Sequence, residues 1–481
     1  MRLLAACISA LAFLTGCQIL SGLNDYDVSE IGTGGNDAGV CDPLATNDVA
    51  PGQPLWVHQL GDSAAQTAFA VAVDPTGDIV VAGEMAGSLS IGSQTLITFQ
   101  NSIDGFILKL DACGGLRWAK TFAGPGYQGV RAVAISPQGD IVVAGVFGDT
   151  LSVDGATETS AGGADIFVSK LDAAGGLTWL KRFGGPGEDI ANDVAFHPTN
   201  DAFAVGGNFQ GVVEFGPVTL TSLTNVDAMV TVMDGAGNVI TAGSFGGPDH
   251  DTVGALAFDP QGALHVAANT SGLAINFGNG PLPVGGYGDF GLATFDANGA
   301  LVWAKAFSGG GVEFVADIAV IGSRTLVSGL FMGTIDFGAT SLDTQPLVND
   351  GFLALFDEAG NDVWSRDVGD NGTDATSGIA VDGNTALVTG RCELQVTPTS
   401  GEPIACVEGD PFLIRVDEQG GYQAATDALY GPGDAKALGV AVSPGGHPVL
   451  VGDFSAQITF GDQTLVSRGQ TDMFVARFAR K

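Results

Sequence analysis

Short apolar segments separated by polar turns recur along this chain at a nearly constant spacing. The clearest copy runs from Asp165 to Phe183 and contains two apolar segments joined by a Gly-Gly turn. The aspartate that opens this copy has six equivalents, and successive members are 61, 62, 62, 61, 60 and 62 residues apart: Asp104, Asp165, Asp227, Asp289, Asp350, Asp410 and Asp472. Spacing this regular predicts an array of like structural units.

Each unit contains four strand-length segments, and no copy shows a clear helical period. In the unit that begins at Ile190, a first strand ends at Phe196, and its hairpin partner runs from Ala202 to Gly207. A polar stretch with a small hairpin follows, then the Asp-led third strand, then a fourth strand that carries Trp179. Repeated four-stranded antiparallel units are typical of propeller blades. We therefore predict an all-β fold, a seven-bladed β-propeller of four-stranded antiparallel blades.

The two ends of the array predict how the ring closes. The last Asp-led strand, Asp472 to Phe478, is followed by only three residues, so the seventh blade lacks a fourth strand of its own. Pro54 to Leu60 has the pattern of a fourth strand but precedes every blade. We expect the N-terminal strand to pair with the last blade, which removes an exposed sheet edge. The propeller is then residues 54–481.

The fourth strand differs between units. It carries tryptophan in five of them, whereas Thr241 and Ala424 occupy that position in two others, where we expect looser packing. Several lysines on third and fourth strands are interpreted as solvent-facing residues of the outer blade: Lys109, Lys120, Lys170, Lys181 and Lys305.

The N-terminus predicts export. Residues 1–16 contain one basic residue, Arg2, and an apolar run that is too short for a permanent transmembrane helix, which is typical of a signal peptide. The ending Leu14-Thr15-Gly16-Cys17 resembles a bacterial lipobox, which implies cleavage before Cys17 and lipidation of that cysteine. A lipid anchor holds a protein on a membrane surface without a spanning segment. The alternative is an ordinary signal peptide that is cut nearby.

The segment after the lipidated cysteine has no steady period and is rich in small polar residues. We interpret residues 17–53 as a flexible tether. Gln18 stands where an aspartate would resemble an inner-membrane retention signal, so the expected location is the outer membrane of the cell envelope.

Four cysteines remain after removal of Cys7 and lipidation of Cys17, and an even count in an exported protein predicts disulfides. Cys392 and Cys406 bracket one predicted hairpin and are natural partners. Cys113 lies in a turn of the first blade, and Cys41 precedes the strand that completes the neighbouring seventh blade. In the closed ring, a Cys41–Cys113 bond would pin that strand.

The recurring segments resemble a known family. AVAVDPTGDIVVAG (Ala70 to Gly83) and DGFILKLDACGGLRWAKTF (Asp104 to Phe122) are similar to the bacterial β-propeller repeat called SBBP. The resemblance covers about Pro54 to Lys481. It implies an exported, cell-surface protein without an agreed activity, and it supplies no catalytic residues.

The composition limits the partners. Eighteen basic against 53 acidic residues give a formal net charge of −35, which repels nucleic acid and anionic headgroups. We therefore expect no nucleic-acid partner, whereas cations, basic proteins and neutral glycans stay open. A simple role in solubility also explains the acidity. We expect a monomer.

Two acidic loops are candidates for calcium binding. The loops at 184–189 and 246–251 resemble calcium-binding Gly-Asp loops and offer Glu188, Asp189, Asp249 and Asp251. Calcium requires six or more oxygen ligands, and each loop supplies only two carboxylates, so a tight turn with solvated acids is the alternative. No other cofactor is expected.

The seven strand-opening aspartates have two interpretations. They form an acidic ring on one face, or each accepts local backbone N–H groups and fixes the start of its strand. Recurrence in every blade favours the structural interpretation, because a binding site usually breaks the repeat.

The sequence contains no standard catalytic motif. No nucleophile elbow, phosphate-binding loop or CxxC pair occurs. The five histidines also lack metal-ligand spacing: His58, His197, His250, His265 and His447. The function expected is a non-enzymatic binding scaffold that displays loops to a protein or glycan. The alternative is a propeller enzyme, of the lyase or quinone-dependent dehydrogenase type, with unequal polar residues in its central mouth.

Overall fold

The computed structural model describes residues 49–481 except 286–287, 346–347, 371, 400–401, 407–408 and 427–428, and it does not describe the side chain of residue 224. The predicted signal peptide, Cys17 and most of the predicted tether lie outside the described residues. All the described residues belong to one unit, Cys41–Lys481. They include no helix with the length and apolar character that crossing a bilayer requires.

The described residues form 41 strands. In chain order these are β1 Pro54–Leu60, β2 Gln66–Val73, β3 Ile79–Ala86, β4 Ser88–Ile91, β5 Gln94–Ile97, β6 Ile103–Leu110, β7 Leu116–Phe122, β8 Gln128–Ile135, β9 Ile141–Phe147, β10 Thr150–Val153, β11 Ala156–Thr159, β12 Asp165–Leu171, β13 Leu177–Phe183, β14 Ile190–Phe196, β15 Phe203–Phe215, β16 Val218–Met233, β17 Val239–Phe245, β18 Asp251–Phe258, β19 Leu264–Thr270, β20 Ala274–Ile275, β21 Leu282–Pro283, β22 Asp289–Phe295, β23 Leu301–Phe307, β24 Glu313–Ile321, β25 Arg324–Met332, β26 Thr334–Asp336, β27 Ser341–Asp343, β28 Asn349–Phe356, β29 Asp362–Val368, β30 Ala375–Asp382, β31 Thr385–Cys392, β32 Gln395–Val396, β33 Ile404–Ala405, β34 Asp410–Asp417, β35 Tyr422–Ala424, β36 Leu429–Tyr430, β37 Ala435–Ser443, β38 His447–Phe454, β39 Gln457–Phe460, β40 Gln463–Val466 and β41 Asp472–Phe478.

Most of these strands belong to four-stranded antiparallel sheets. Within the described residues the sheets, numbered by chain order, are sheet 1 (β2-β3-β6-β7), sheet 2 (β8-β9-β12-β13), sheet 3 (β14-β15-β16-β17), sheet 4 (β18-β19-β22-β23), sheet 5 (β24-β25-β28-β29), sheet 6 (β30-β31-β34-β35) and sheet 7 (β37-β38-β41-β1). The architecture is therefore all-β and propeller-like, as the repeat predicts. Small outer hairpins such as β4–β5 and β10–β11 follow the second strands.

The N-terminal strand completes the last sheet. β1 runs antiparallel to β41, with Pro54 opposite Phe478 and Leu60 opposite Met473. Gly52 N–H donates to the Ala479 carbonyl at 3.0 Å and continues the pairing beyond the strand. The pairing satisfies a strand edge that would otherwise be open to another chain.

The core lies between adjacent sheets. β9 and β12 are buried at every position, so both faces of sheet 2 are covered. One apolar cluster joins Val80 and Ile107 of sheet 1 to Val143 and Phe167 of sheet 2. Sheets of this kind cannot fold singly, because each buries its apolar faces only against its neighbours.

The first strands also contact one another in sequence. β2 contacts β8, β8 contacts β14, and the series continues through β18, β24, β30 and β37. β37 of sheet 7 in turn contacts β2 of sheet 1, and Val449 and Val475 of sheet 7 share an apolar cluster with Val81. The side chains at the start of each first strand therefore lie near those of its neighbours.

A tryptophan on the fourth strand packs on a glycine of the following sheet. An added Cβ at Gly175, in the turn between the third and fourth strands of sheet 2, would lie 2.7 Å from the Trp118 ring of sheet 1. Gly175 also has a φ of +86°, which favours glycine. At the substituted position, Thr241 is exposed, and a Cβ at the equivalent Gly299 would contact nothing.

The interpretation of the lysines as solvent-facing is wrong for two of them. Lys109 is only 4% exposed and Lys170 only 7% exposed. The Lys109 ammonium lies 2.8 Å from Asp74 of its own sheet and donates to the Ala173 carbonyl of the next sheet at 3.1 Å. Burial is tolerated because each charge is both paired and hydrogen-bonded, so these lysines tie consecutive sheets together.

We predict opposite effects of two substitutions at the tryptophan position. Trp118→Ala should lower the free energy of unfolding by about 2–4 kcal/mol, because it removes the ring that covers Gly175. Thr241→Trp should raise it by about 1 kcal/mol, because a ring there can cover the open space at Gly299. Denaturant unfolding of both variants measures these changes, with Glu358→Gln, an exposed substitution, as the control. Equal destabilisation by both variants would contradict the packing role.

Candidate binding site

The first and second strands of each sheet place one pair of residues at equivalent positions, which we call the rim. These residues lie where the first strand begins and the second ends. In sheet order the pairs are Thr67 and Glu84, Gly129 and Val146, Ile190 and Asn208, Thr252 and Asn269, Phe314 and Leu330, Ala375 and Arg391, and Lys436 and Asp453. The backbone repeats at the rim, but the side chains do not.

Two positions beyond the rim, every first strand has an irregularity in its pairing with the second strand. The residues that the pairing omits there are Phe69, Arg131, Asn192, Gly254, Ala316, Ser377 and Leu438. A bulge re-aims its side chain and is common near functional sites. The bulge residues are large in sheets 1, 2 and 7 and small in sheets 4, 5 and 6.

The side with large residues is filled by a network. Tyr127 O–H donates to Glu84, and the Arg131 guanidinium donates to the Tyr127 hydroxyl. The Arg131 guanidinium carbon also lies 4.5 Å from the centre of the Phe69 ring, which is a cation–π contact. Burial raises the pKa of the Tyr127 phenol, so this hydroxyl keeps its proton. This side of the rim is occupied by its own side chains.

The side with small residues contains a pocket of about 380 Å³. Sheets 3, 4 and 5 supply its lining: Ile190, Asn192, Asn208, His250, Thr252, Gly254, Asn269, Phe314, Val315 and Ala316. Gly254 and Ala316 occupy bulge positions at which other sheets place Phe69 or Arg131. The pocket therefore follows from a departure from the repeat.

Hydrogen bonds fix the polar walls of this pocket. Asn192 Nδ2 donates to Thr252 Oγ1 at 2.8 Å, and Thr252 Oγ1 donates to Asn208 Oδ1 at 3.1 Å. Asn269 is held by both its amide atoms, since Nδ2 donates to the Val315 carbonyl at 3.1 Å and Oδ1 accepts from Val315 N–H at 2.8 Å. These bonds join sheets 3, 4 and 5 and preorganise the site.

Two carboxyl groups lie next to the bulges of sheets 3 and 5. Asp193 accepts from the backbone N–H of Leu256 and Asp317 from that of Ile379, each at 2.7 Å, so each acid ties its sheet to the next. Desolvation raises the pKa of Asp193 to about 7. Desolvation, together with the charge of Asp193, raises the pKa of Asp317 to about 8.

The seven strand-opening aspartates do not form an exposed ring. All are buried, with at most 4% of their surface exposed. Backbone N–H groups donate to several of them: Phe99 to Asp104, Ala161 to Asp165, Leu223 to Asp227, Gly431 to Asp410 and Arg468 to Asp472. These contacts are the local ones that the structural interpretation requires.

A second acid faces several of these aspartates across the sheet junctions. Asp189 lies near Asp165, and Asp374 lies near Asp350. Desolvation, with like charges nearby, raises the pKa of Asp189 and of Asp374 to about 6. Arg182 pairs with Asp165 at 2.7 Å, which partly compensates the first junction.

The junction at Asp350 lacks this compensation. Asp367 occupies the fourth-strand position at which sheet 2 has Arg182, so a further negative charge replaces a positive one. Asp350 Oδ1 is buried and makes no hydrogen bond within the described residues. Desolvation and the charges of Asp374, Asp367 and Asp370 raise the pKa of Asp350 to about 7.

The four acids of the predicted calcium loops lie in two environments. Asp189 and Asp251 are buried, and each accepts a backbone N–H, from Gly185 at 2.8 Å and from Gly247 at 2.7 Å. Glu188 and Asp249 are exposed. Within the part of the chain that the structure describes, no group of three or more His, Cys, Asp or Glu residues is arranged to hold a metal ion. Calcium binding stays an untested prediction.

The other residues singled out in the sequence are dispersed. Cys392 and Cys406 form a disulfide with a Cα–Cα distance of 5.8 Å, which closes an outer hairpin. Cys113 is also disulfide-bonded, and its predicted partner Cys41 lies outside the described residues. Of the histidines, only His250 lines the rim pocket, while His58 contacts the Gly114 carbonyl at 2.8 Å and His265 contacts Thr294 and Thr325.

Sequence reasoning did not identify the pocket residues. The available signal was the alignment of the first and second strands of the seven units, where Asn208, Thr252 and Asn269 stand out as neutral polar residues in consecutive units. The alignment alone does not show that these residues line one pocket. The structure shows it, because the bulges determine which residues of neighbouring sheets lie close together.

No family model and no curated protein matches this sequence. Among solved structures the chain is similar to the Dos1 propeller, with 11% identity, coverage of 88% of this chain and 94% of that one, and a TM-score of 0.45. It is similar to Sqt1 from Chaetomium thermophilum, with 14% identity, coverage of 89% and 99%, and a TM-score of 0.42. It is also similar to the β-propeller domain of the Trilobed protease from Pyrococcus furiosus, with 9% identity, coverage of 83% and 97%, and a TM-score of 0.40. At these values the similarities carry no argument about function.

We predict that the protein is more stable at pH 5 than at pH 8. Asp189, Asp350 and Asp374 have folded-state pKa values of about 6 to 7, above the ordinary value of 3.8. The folded state therefore holds more protons than the unfolded state in this range, and stability is lost as the pH rises through the folded pKa values. Chemical denaturation at both pH values measures the difference.

Asp350→Asn isolates one of these groups. The variant should gain stability at both pH values and about 1–3 kcal/mol more at pH 8 than at pH 5, because the amide removes a charge that the fold disfavours as the pH rises through the folded pKa of about 7. Glu358→Gln, on the same sheet but exposed, is the matched control and should change neither value. An Asp350→Asn variant that is less stable at pH 8 would contradict the predicted repulsion.

Proposed function

We propose that this protein is a lipid-anchored protein of the bacterial cell envelope, and that its propeller is a non-enzymatic scaffold for binding. In this proposal seven blades form a closed ring, the lipid is attached to Cys17, and the protein is monomeric. The ligand or partner binds at the rim pocket of sheets 3, 4 and 5. The SBBP-like repeats and the lipobox-like sequence support the location, and the geometry of the rim supports the binding role.

The pairing of the chain ends supports a closed ring of seven blades. β1 completes sheet 7, and β37 of that sheet contacts β2 of sheet 1. Arg477 of sheet 7 also donates to the Ala112 carbonyl of sheet 1 at 2.6 Å, which is the kind of tie that Lys109 makes between sheets 1 and 2. The junction between sheets 7 and 1 thus uses the same type of hydrogen bond as the junction between sheets 1 and 2.

The observation that carries the binding role is the unequal rim. Residues that serve the fold recur from blade to blade, as the strand-opening aspartates do. Asn192 and Phe314 have no counterpart of the same residue type in another sheet, and Asn208 and Thr252 each recur in one other sheet, as Asn269 and Thr67, although the backbone around them repeats in all seven sheets. A preformed concavity with a few polar groups and an apolar wall is the usual form of a binding site.

The described chain enters its first strand, β1, far from this pocket. Pro54 pairs with Phe478 at the end of the third strand, whereas the rim lies where third strands begin. The chain that leads back towards Cys17 therefore leaves the propeller at the end opposite the pocket.

The alternative of an enzyme rests on Asp193 and Asp317, whose raised pKa values resemble those of catalytic acids. Each carboxylate, however, accepts two backbone N–H groups, one from the next residue of its own strand and one from the neighbouring sheet. This engagement favours a structural role. If the protein is an enzyme, Asp193→Asn should abolish turnover without abolishing ligand binding.

We predict that Cys17→Ser releases the protein from the membrane fraction. The serine hydroxyl cannot replace the thiol in lipid attachment, and the predicted tether alone provides no anchor. Membrane fractionation together with metabolic labelling by a radioactive fatty acid measures the effect, and Cys113→Ser is the control. A Cys17→Ser protein that stays in the membrane fraction and incorporates the label would contradict the anchor.

We predict that the rim pocket is required for capture of the partner. Crosslinked envelopes from cells that produce the full-length protein are compared with those of Asn208→Leu and Phe314→Ala. The amount of captured partner should fall at least about tenfold in both variants, because contacts at the centre of an interface carry most of the binding energy. Ile240→Ala, an exposed apolar residue on a fourth strand, is the control. Capture that is unchanged in both pocket variants would overturn the assignment of the site.

A further inference from the structure

We propose that the rim pocket binds a neutral carbohydrate of one or two sugar rings, with an apolar sugar face on Phe314 and hydroxyl groups on the amides of Asn192 and Asn208. This inference rests on the proposed binding function and names its ligand class. It is argued from the charge, the polar atoms, the aromatic surface and the size of the pocket.

The lining of the pocket is uncharged apart from the titratable His250. It contains no Lys, Arg, Asp or Glu residue, although acidic residues are abundant elsewhere in the chain. An anionic ligand would find no cation in this lining and would be repelled by a protein of formal charge −35. A cationic ligand would find no carboxylate in the lining. The pocket therefore fits a neutral ligand.

The polar atoms offer both a donor and an acceptor. Asn208 Oδ1 accepts from Thr252, so its Nδ2 group, which no described residue engages, can donate to a ligand. Asn192 Nδ2 donates to Thr252 and to the Val253 carbonyl, so its Oδ1 atom can accept. A sugar hydroxyl donates and accepts at once and therefore matches such a pair of amide groups.

Phe314 supplies an apolar surface beside these amides. Phe314 is 43% exposed, although it is the second residue of β24 and the next residue, Val315, is fully buried. An exposed aromatic ring at the edge of a polar pocket can bury the C–H face of a sugar ring, and burial of that area is favourable. The amides of Asn192 and Asn208 belong to sheet 3 and Phe314 belongs to sheet 5, and the small residues Gly254 and Ala316 line the same pocket.

The pocket is small and its walls are held in place. A volume of about 380 Å³ is near the lower end of the roughly 300–1,000 Å³ that is typical of small-molecule sites. Asn192, Thr252 and Asn208 form a chain of hydrogen bonds across two sheets, and Asn269 fixes the strand that carries Phe314. Preorganised amides lose little entropy on binding. A short sugar fits this volume, whereas an extended peptide does not.

The test uses the full-length protein in detergent and a panel of neutral mono- and disaccharides: glucose, galactose, N-acetylglucosamine, lactose and cellobiose. Saturation-transfer NMR identifies any bound sugar, and titration calorimetry measures its affinity. Glucuronic acid is the anionic probe. We expect at least one neutral sugar to bind at millimolar affinity or better and glucuronic acid to bind at least tenfold more weakly.

Variants connect the binding to the pocket. Phe314→Ala should weaken the sugar at least tenfold, and Phe314→Tyr, which retains the ring, should bind within about threefold of the parent protein. Phe99→Ala is the matched control, because Phe99 is 41% exposed and lies away from the pocket, in the loop between β5 and β6. Its affinity should be unchanged. Thermal unfolding of each variant shows whether a loss of binding reflects a loss of fold.

Two results would overturn this inference. One is that no neutral sugar of the panel binds, and the other is that a bound sugar keeps its affinity in folded Phe314→Ala. If the partner captured from envelopes is still lost in Phe314→Ala while no sugar binds, the binding scaffold stands and the carbohydrate assignment fails. If neither capture nor sugar binding depends on the pocket, both proposals fail.

Discussion

The structure depends on the burial of sheets on both faces. The middle strands of sheet 2 are buried at every position, so the sheet needs a neighbour on each side. A linear stack would leave an uncovered face at each end. β37 contacts β2 and β1 pairs with β41, so the first and last sheets are also in contact.

Polar residues that recur in the repeat serve these contacts between sheets. Buried Lys109 and Lys170 join a turn of their own sheet to a turn of the next one, and the fourth-strand tryptophans cover turn glycines of the next sheet. The buried acids at the contacts between sheets are less well paired than these lysines. At Asp350 three other acids approach a buried carboxyl group that has no compensating cation. Its raised pKa is the consequence, and it makes stability depend on pH.

The candidate site arises where the repeat is not followed. All the first strands have a bulge at the same place, so each contributes one residue that departs from the regular pairing. Large residues such as Phe69 and Arg131 fill one side, whereas Gly254 and Ala316 leave the other side open beside Asn208 and Phe314. The repeated backbone thus provides a frame, and a few substitutions in consecutive units open the pocket.

The sequence by itself determined the all-β class, the four-stranded antiparallel units and the role of Pro54 to Leu60 as a fourth strand. These features follow from apolar periodicity and from a missing strand at the other chain end, which are local properties of the chain. The Cys392–Cys406 disulfide could also be predicted from the sequence, because the two cysteines flank one hairpin. The burial of Lys109 and the pocket around Asn208 were decided only by the tertiary structure. Both depend on which residues of different units meet, and a repeat of about sixty residues specifies the contacts within a unit far better than those between units.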